Sequence, residues 1–223
     1  KEKLLSETFY YPFKKGATSL NTNLIVHGLF SDKPNAPVYS SAIYYKNDQF
    51  VKVNHKQKLV PFFESDFYSV GNTPDVFYDV APNLHIGSMI CFELLFSHIS
   101  RALYKKGATL FLCLSNNGYF GHSNWPLLHA AFSTFRSVEY GRPMIFVNNT
   151  GSSIVTEASG KIIHRSPFHK ESISNVSVSG SQSRTFYSEY PYFFTCTYGF
   201  FVLITFLFHV LYLKKKGVMP MRK

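Results

Sequence analysis

Twenty-four residues near the C-terminus, Tyr190 to Leu213, read YPYFFTCTYGFFVLITFLFHVLYL and hold no Asp, Glu, Lys or Arg. About 20 apolar residues suffice for a helix to cross the hydrocarbon core of a bilayer. Lys214, Lys215 and Lys216 follow at once, the flank expected of a span whose C-terminal end faces the cytoplasm. Tyr190, Tyr192 and Tyr198 cluster at the other end, where interfacial aromatics sit. A buried core helix is the competing reading, and the length of the run and its lysine stop oppose it. The sequence therefore predicts a domain over residues 1–189 outside the membrane, a transmembrane helix over 190–213 and a basic cytoplasmic tail over 214–223. A domain on that side needs an export signal. Lys1-Glu2-Lys3 leads instead into a strand-like segment, so the chain is expected to lack its natural N-terminus.

The chain has 223 residues, enough for one sizeable domain with a real core. Its formal net charge of +10 suggests a nucleic-acid partner until it is located. Five of the basic residues (Lys214, Lys215, Lys216, Arg222 and Lys223) stand in the last ten positions, leaving 18 basic against 13 acidic residues elsewhere. Those are scattered, with no basic helix or stripe, and no nucleic-acid partner is expected. The three cysteines, Cys91, Cys113 and Cys196, are too few and too scattered for a disulfide framework or a structural zinc site. The nine histidines show no H-E-x-x-H or paired ligand spacing. No metal or other cofactor is therefore expected.

Short apolar runs at Leu24–Phe30, Val38–Tyr45, Gln49–Val53 and Leu84–Ile90 read as strands bounded by turn-forming residues. Glu93–Lys106 reads as a helix, with Leu95, Ile99, Ala102 and Leu103 on one face and Gly107 where the chain should leave it. Thr109–Leu114 is an almost wholly apolar strand, as expected when both faces are covered. Trp125–Tyr140 is a second helix, with Ser123 or Asn124 to cap it, Pro126 in its first turn and Gly141 to close it. Met144–Asn148, Ser152–Thr156 and Ile162–Arg165 are further strands. Residues 166–188 are polar and Ser-rich. Strands alternating with helices argue for an α/β domain.

Cys91, in GSMICFELLF, stands where a strand ends and a helix begins. That junction presents a side chain at the carboxyl edge of the sheet, and a helix N-terminus favours a thiolate. A buried structural cysteine is the other reading of the same position. Cys113 lies inside an apolar strand and Cys196 inside the membrane run, where a thiolate is costly. A cysteine nucleophile needs a base and a group to hold the oxyanion. No histidine has a recognisable relation to Cys91, which leaves a carboxylate base with a lysine as the other option.

Six motifs resemble those of one family in order and spacing, over about residues 4–213. Lys56-Gln57-Lys58-Leu59-Val60-Pro61-Phe62-Phe63-Glu64 resembles the lysine motif K-x-x-L-V-P-F-G-E of the nitrilase superfamily, in the form found in apolipoprotein N-acyltransferases. Ile90-Cys91-Phe92-Glu93 resembles the nucleophile motif C-[YF]-E. Residues Leu114 to Gly121 resemble the S-N-D-x-W-F-G loop, and Arg136 to Pro143 the R-x-x-E-x-G-R-P helix end. Asn148-Asn149-Thr150-Gly151 resembles the strand end N-x-G, and Leu5-Ser6-Glu7-Thr8 the P-E-T that carries the family's first glutamate. Ser6 stands for the family's Pro, Phe63 for its small Gly, and Asn117-Gly118-Tyr119 for Asp-x-Trp.

The resemblance implies an α-β-β-α sandwich, here expected without its first strand and helix, followed by one C-terminal membrane helix. It implies a Glu–Lys–Cys triad: Glu7 as general base, Lys56 as the cation beside the tetrahedral intermediate, and Cys91 as nucleophile. Glu64 would hold Lys56, the Phe92 N–H would share the oxyanion, and Glu93 would either position the site or complement the helix dipole. Asn116, Tyr119 and Phe120 would line the acyl pocket. The activity so implied moves an acyl chain from a phospholipid, through a cysteine thioester, to the N-terminal amine of a diacylglyceryl apolipoprotein. Its place would be the inner membrane of a bacterium, with the domain on the outer face. An amidase using the same triad, or an inactive membrane-bound fragment, are the alternatives.

Overall fold

In a computed structural model the chain is described over residues 22–33, 35–47, 49–121 and 123–216. Glu7 and its motif lie outside the described residues. The chain divides into two units, residues 1–184 and 185–223.

The first unit is built on two sheets. Strands β1 (Asn23–Phe30), β2 (Tyr39–Lys46) and β3 (Gln49–His55) form an antiparallel meander. The second sheet runs in the order β4 (Val76–Ala81), β5 (Leu84–Ile90), β6 (Leu110–Ser115), β7 (Met144–Asn148), β8 (Ile154–Thr156) and β9 (Ile162–Arg165). Its central pairs β5–β6 and β6–β7 are parallel, and the flanking pairs are antiparallel. Helices α1 (Ser97–Lys105) and α2 (Trp125–Tyr140) make the crossovers between the parallel strands. The carboxyl ends of β5 and β6 therefore open on the same side.

The two-residue period of the strands explains the layers. Ala42 and Tyr44 of β2 meet Phe77, Ile86, Ile90, Leu110, Leu112 and Leu114 of the second sheet, which makes the core between the sheets. Ile43 and Tyr45, one residue out of phase, join Phe30 on the opposite face of the meander. Every residue of β6 is buried, as its unbroken apolar sequence predicts. Phe111 turns to the helix side, where its ring meets Tyr140 of α2 at 6.0 Å. Asn54 is a polar rivet across the core. Its Nδ2 donates to Ser88 Oγ at 2.8 Å and to the Ser88 carbonyl at 3.1 Å. That contact fixes the end of β3 against the end of β5, two residues before Lys56 and three before Cys91.

Three elements differ from the sequence reading. The helix expected over Glu93–Lys106 is two pieces, a 3-10 turn over Cys91–Leu95 and α1 after it, with Phe96 extended between them. Glu93 caps the first piece by accepting the Ile90 N–H (below), and the extended Phe96, at φ −103° and ψ 102°, ends that piece before α1 begins. Strand β4 had no expectation, because Asp79 interrupts its apolar run. Asp79 has a φ of 53° and coincides with a register shift in the β4–β5 ladder. A short helix, α3 (Phe186–Glu189), capped by Thr185, opens the second unit where the sequence reading placed no element.

In that second unit the expected apolar helix is present as α4 (Phe193–Lys215). Pro191 keeps the helix from starting earlier, and the first two lysines of the stop wind into its last turn. No residue of α4 is buried. It is long and apolar enough to cross a membrane.

Candidate active site

Lys56 follows β3 directly and is clamped before its side chain does anything. Its N–H donates to Ser40 O and its carbonyl accepts from Gly71 N–H, both at 2.8 Å. Gly71 has to be glycine there, since a Cβ would come within 2.6 Å of the His55 carbonyl. The Lys56 side chain is fully buried, and its Nζ lies 2.7 Å from both carboxylate oxygens of Glu64. Glu64 reaches it from a loop that closes on itself. Val60 N–H donates to Glu64 Oε2 at 2.8 Å, and Glu64 N–H donates back to the Val60 carbonyl at 3.1 Å. A buried ammonium needs such a partner, because desolvation of the charge costs several kcal/mol. The neighbouring lysine, Lys58, is exposed.

Cys91 ends β5 with a φ of 49°. A non-glycine residue in the left-handed region costs on the order of 1–3 kcal/mol and persists only where its surroundings over-determine it. Glu93 supplies part of that hold. It is 2% exposed. Its Oε2 accepts the Ile90 N–H at 2.7 Å, and its Oε1 accepts those of Gln57 at 2.6 Å and Lys58 at 3.3 Å. One carboxylate thus ties the turn around Cys91 to the segment around Lys56. Burial pushes its pKa up, and the three N–H groups and Lys56 oppose that rise.

Across the sheet edge, β6 ends at Ser115, and a loop of Asn116 and Asn117 leads into a 3-10 turn over Gly118–Phe120. The Cys91 thiol lies 3.7 Å from the Asn116 carbonyl. Lys56, Glu64, Cys91, Asn116, Tyr119 and Phe120 all line one cavity of about 650 Å³. Phe63 stands at its edge with its ring packed edge-on against Tyr119 at 4.7 Å. The bulk that replaces the family's small residue is half-exposed, and the cavity persists beside it. Phe92 and Glu93 do not line the cavity. The Phe92 ring packs on Phe96 at 5.0 Å, and Glu93 lies behind the turn.

The sequence reading missed His27 and Ser40, which line the same cavity and are joined by a hydrogen bond of 2.8 Å between His27 Nε2 and Ser40 Oγ. Burial, with Lys56 nearby, lowers the His27 pKa to about 4, so its ring is neutral at pH 7. The alternating pattern of β1 gives no sign of this, since only the fold brings that strand over Lys56. Burial pushes the Cys113 thiol well up, in keeping with its expected inert place in β6. Among the described residues no cluster of His, Cys, Asp and Glu could hold a metal ion.

The chain thus sets a cysteine at the edge of a two-sheet α/β sandwich, in one cavity with a buried Lys–Glu pair. Residues 8–186 match the carbon-nitrogen hydrolase family, and the chain belongs to it. Its relatives include the apolipoprotein N-acyltransferase of Geobacter metallireducens, 32% identical over 105 residues (47% of this chain and 20% of that protein). The apolipoprotein N-acyltransferase of Haemophilus influenzae is 27% identical over 203 residues, or 81% of this chain and 39% of that one. The chain thus spans about two-fifths or less of the length of these relatives. Among solved structures, a carbon-nitrogen hydrolase from Helicobacter pylori superposes with a TM-score of 0.64 over 75% of this chain and 67% of its own, at 18% identity. That likeness speaks for the fold.

Proposed function

We propose that this chain carries the acyl-transfer centre of an apolipoprotein N-acyltransferase, with Cys91 as nucleophile, Lys56 as the oxyanion cation and Glu7 as base. The observation that carries the reading is the shared cavity, where a strained cysteine and a buried Lys56–Glu64 pair face one space with an aromatic rim. Supporting it are the named relatives and a helix of membrane-spanning length in the same chain.

The chemistry runs in two halves. A base takes the Cys91 proton, and the thiolate attacks an ester carbonyl of a phospholipid. Lys56 Nζ stabilises the oxyanion as it forms. Collapse of that intermediate breaks the ester C–O bond, and the lysophospholipid leaves as an alcohol with the returned proton. The remaining thioester is attacked by the free α-amine of a diacylglyceryl-cysteine. The C–S bond breaks, an amide forms and the thiolate takes back a proton. Fixed positive charge beside the thiolate serves both halves, since each begins or ends with a sulfur anion.

Incubating the chain in phospholipid–detergent micelles with an acyl-labelled phospholipid should give a hydroxylamine-sensitive adduct that maps to Cys91. An adduct at Cys113, or one that persists in Cys91→Ala, would overturn the assignment. Hydrolysis of small amides without any lipid adduct would replace it with the amidase reading, and neither activity would favour a binding role.

The membrane placement is part of the same proposal: α4 spans the inner membrane of a bacterium, with Lys214–Lys216 in the cytoplasm and the catalytic unit outside. Alkaline carbonate should leave the chain in the membrane pellet, and protease added from outside should spare residues 214–223. Release into the soluble fraction would remove the span, and cleavage of the tail would reverse the orientation.

A further inference from the structure

We propose that His129 is the positioning residue of the nucleophile: it grips the backbone of Cys91 from beneath and joins it to the wall of the cavity. The inference rests on Cys91 being the nucleophile, as argued above, and adds a residue to which no role has been assigned.

His129 lies on α2 and is 1% exposed. Its Nε2 is 3.1 Å from the carbonyl oxygen of Cys91, the residue held at a φ of 49°. A carbonyl can only accept, so Nε2 carries the ring proton and donates it there. The buried Cys113 thiol points at the same oxygen from 3.9 Å. The ring itself cannot turn away. Trp125 stacks on one side at 6.0 Å and Phe146 meets it edge-on at 5.2 Å. Burial lowers the His129 pKa to about 4, the Cys91 carbonyl opposes that shift, and Lys56 adds to it, so the ring is neutral at pH 7.

With Nε2 protonated, Nδ1 must accept. It lies 3.0 Å from Asn117 Oδ1 and 3.5 Å from Ser115 Oγ. An amide oxygen cannot donate, so Nδ1 is served with the Asn117 amide turned to present its nitrogen, an interchange of two atoms of equal shape. From Asn117 the connection continues around the cavity wall. Asn117 N–H donates to Asn149 Oδ1 at 3.2 Å, and Asn149 Nδ2 donates to Asn116 Oδ1 at 2.8 Å. The Asn116 carbonyl faces the Cys91 thiol. The chain of contacts leaves Cys91 by its carbonyl and returns to it at sulfur. A left-handed turn needs over-determination, and this circuit and Glu93 supply it from opposite sides.

The ring makes no approach to the Cys91 sulfur that the structure shows, so it is not the base. Its effect on the reaction is to fix where the sulfur stands relative to Lys56. Such a residue affects the chemical step more than the binding of substrate.

The test uses the full chain in micelles, with Cys196→Ser as background, so that Cys91 is the accessible thiol. His129→Leu removes both ring contacts, and His129→Gln keeps one amide N–H that can reach the Cys91 carbonyl. The expected results are a fall of about 100-fold in the rate of Cys91 acylation for His129→Leu, KM for the phospholipid within about threefold, and recovery to within about tenfold of wild type for His129→Gln. Iodoacetamide alkylation of Cys91, which needs no lipid or turnover, should slow in the same order. An alkylation order of wild type, Gln and Leu with no acyl transfer by any of them would leave the role of His129 standing and sink the acyltransferase reading instead. A folded His129→Leu that acylates and alkylates at the wild-type rate overturns the proposal. So does His129→Gln performing no better than His129→Leu, or a loss confined to KM. Should His129→Leu fail to fold, the Gln comparison decides alone, together with Asn117→Ala, which is expected to lie between Gln and Leu.

Discussion

Cys91→Ser is expected to lower acyl transfer by on the order of 10³-fold or more, about 4 kcal/mol of lost transition-state stabilisation. A serine hydroxyl is far less acidic than a thiol, and it becomes a nucleophile only beside a strong, correctly placed base. The two histidines near this turn cannot serve. His129 spends its donor on the Cys91 carbonyl, and its ring lies beneath the turn. His27 is bound to Ser40 and its basicity is depressed. A carboxylate can take a thiol proton, whereas it is too weak a base for a hydroxyl. The substitution leaves the backbone strain at residue 91 as it was, since serine meets the same left-handed φ, so thermal stability should change little. The check is the initial rate of transfer together with the melting temperature of the same preparations. A serine variant that keeps a tenth of the activity would mean that the nucleophile lies elsewhere.

The residues of this site were legible in the sequence to different degrees, for physical reasons. Local signals sufficed for Lys56 and Glu64. They are eight residues apart on one loop, and the turn at Val60-Pro61 brings them together. Cys91 was legible by its place between a strand and a turn. Asn54, His27 and His129 were not, because each matters through a partner far away in sequence: Ser88 in the other sheet, the Lys56–Glu64 pair near β1, and the Cys91 carbonyl against α2. Helix α2 shows why pattern alone fails here. Its caps predicted both ends, and Gly141 does close it with a φ of 60°. The face it buries is mostly polar, with His129, Ser133, Arg136, Ser137 and Tyr140 beside Ala130, whereas Leu127, Leu128, Phe135 and Val138 are exposed. A search for an apolar stripe would turn the helix around. The serines can be buried because their hydroxyls bond back to helix carbonyls, Ser133 to Ala130 at 2.6 Å and Ser137 to Ser133 at 3.1 Å. Glu93 was legible as a motif residue, but its grip on Gln57 and Lys58 was not, since those partners lie more than thirty residues away in sequence.

Lys56→Met should abolish acyl transfer, by on the order of 10³-fold, and Lys58→Met should leave it within about twofold. The two lysines are two residues apart and opposite in environment. Lys56 is fully buried with both Glu64 oxygens on its ammonium, whereas Lys58 is exposed and its nearest aromatic neighbour is the Phe96 ring at 5.3 Å. Lys56→Met also leaves the Glu64 carboxylate without its cation, and breaking a buried pair from one side costs roughly 3–5 kcal/mol. Part of the lost activity could then be lost structure. The double variant Lys56→Met with Glu64→Gln separates the two. Glutamine keeps an oxygen for the Val60 N–H and removes the orphaned charge, so most of the stability should return. Activity should not return, because the developing oxyanion still meets no positive charge. Recovery of transfer along with stability would show that the pair only braces the loop and that the oxyanion is held by backbone alone.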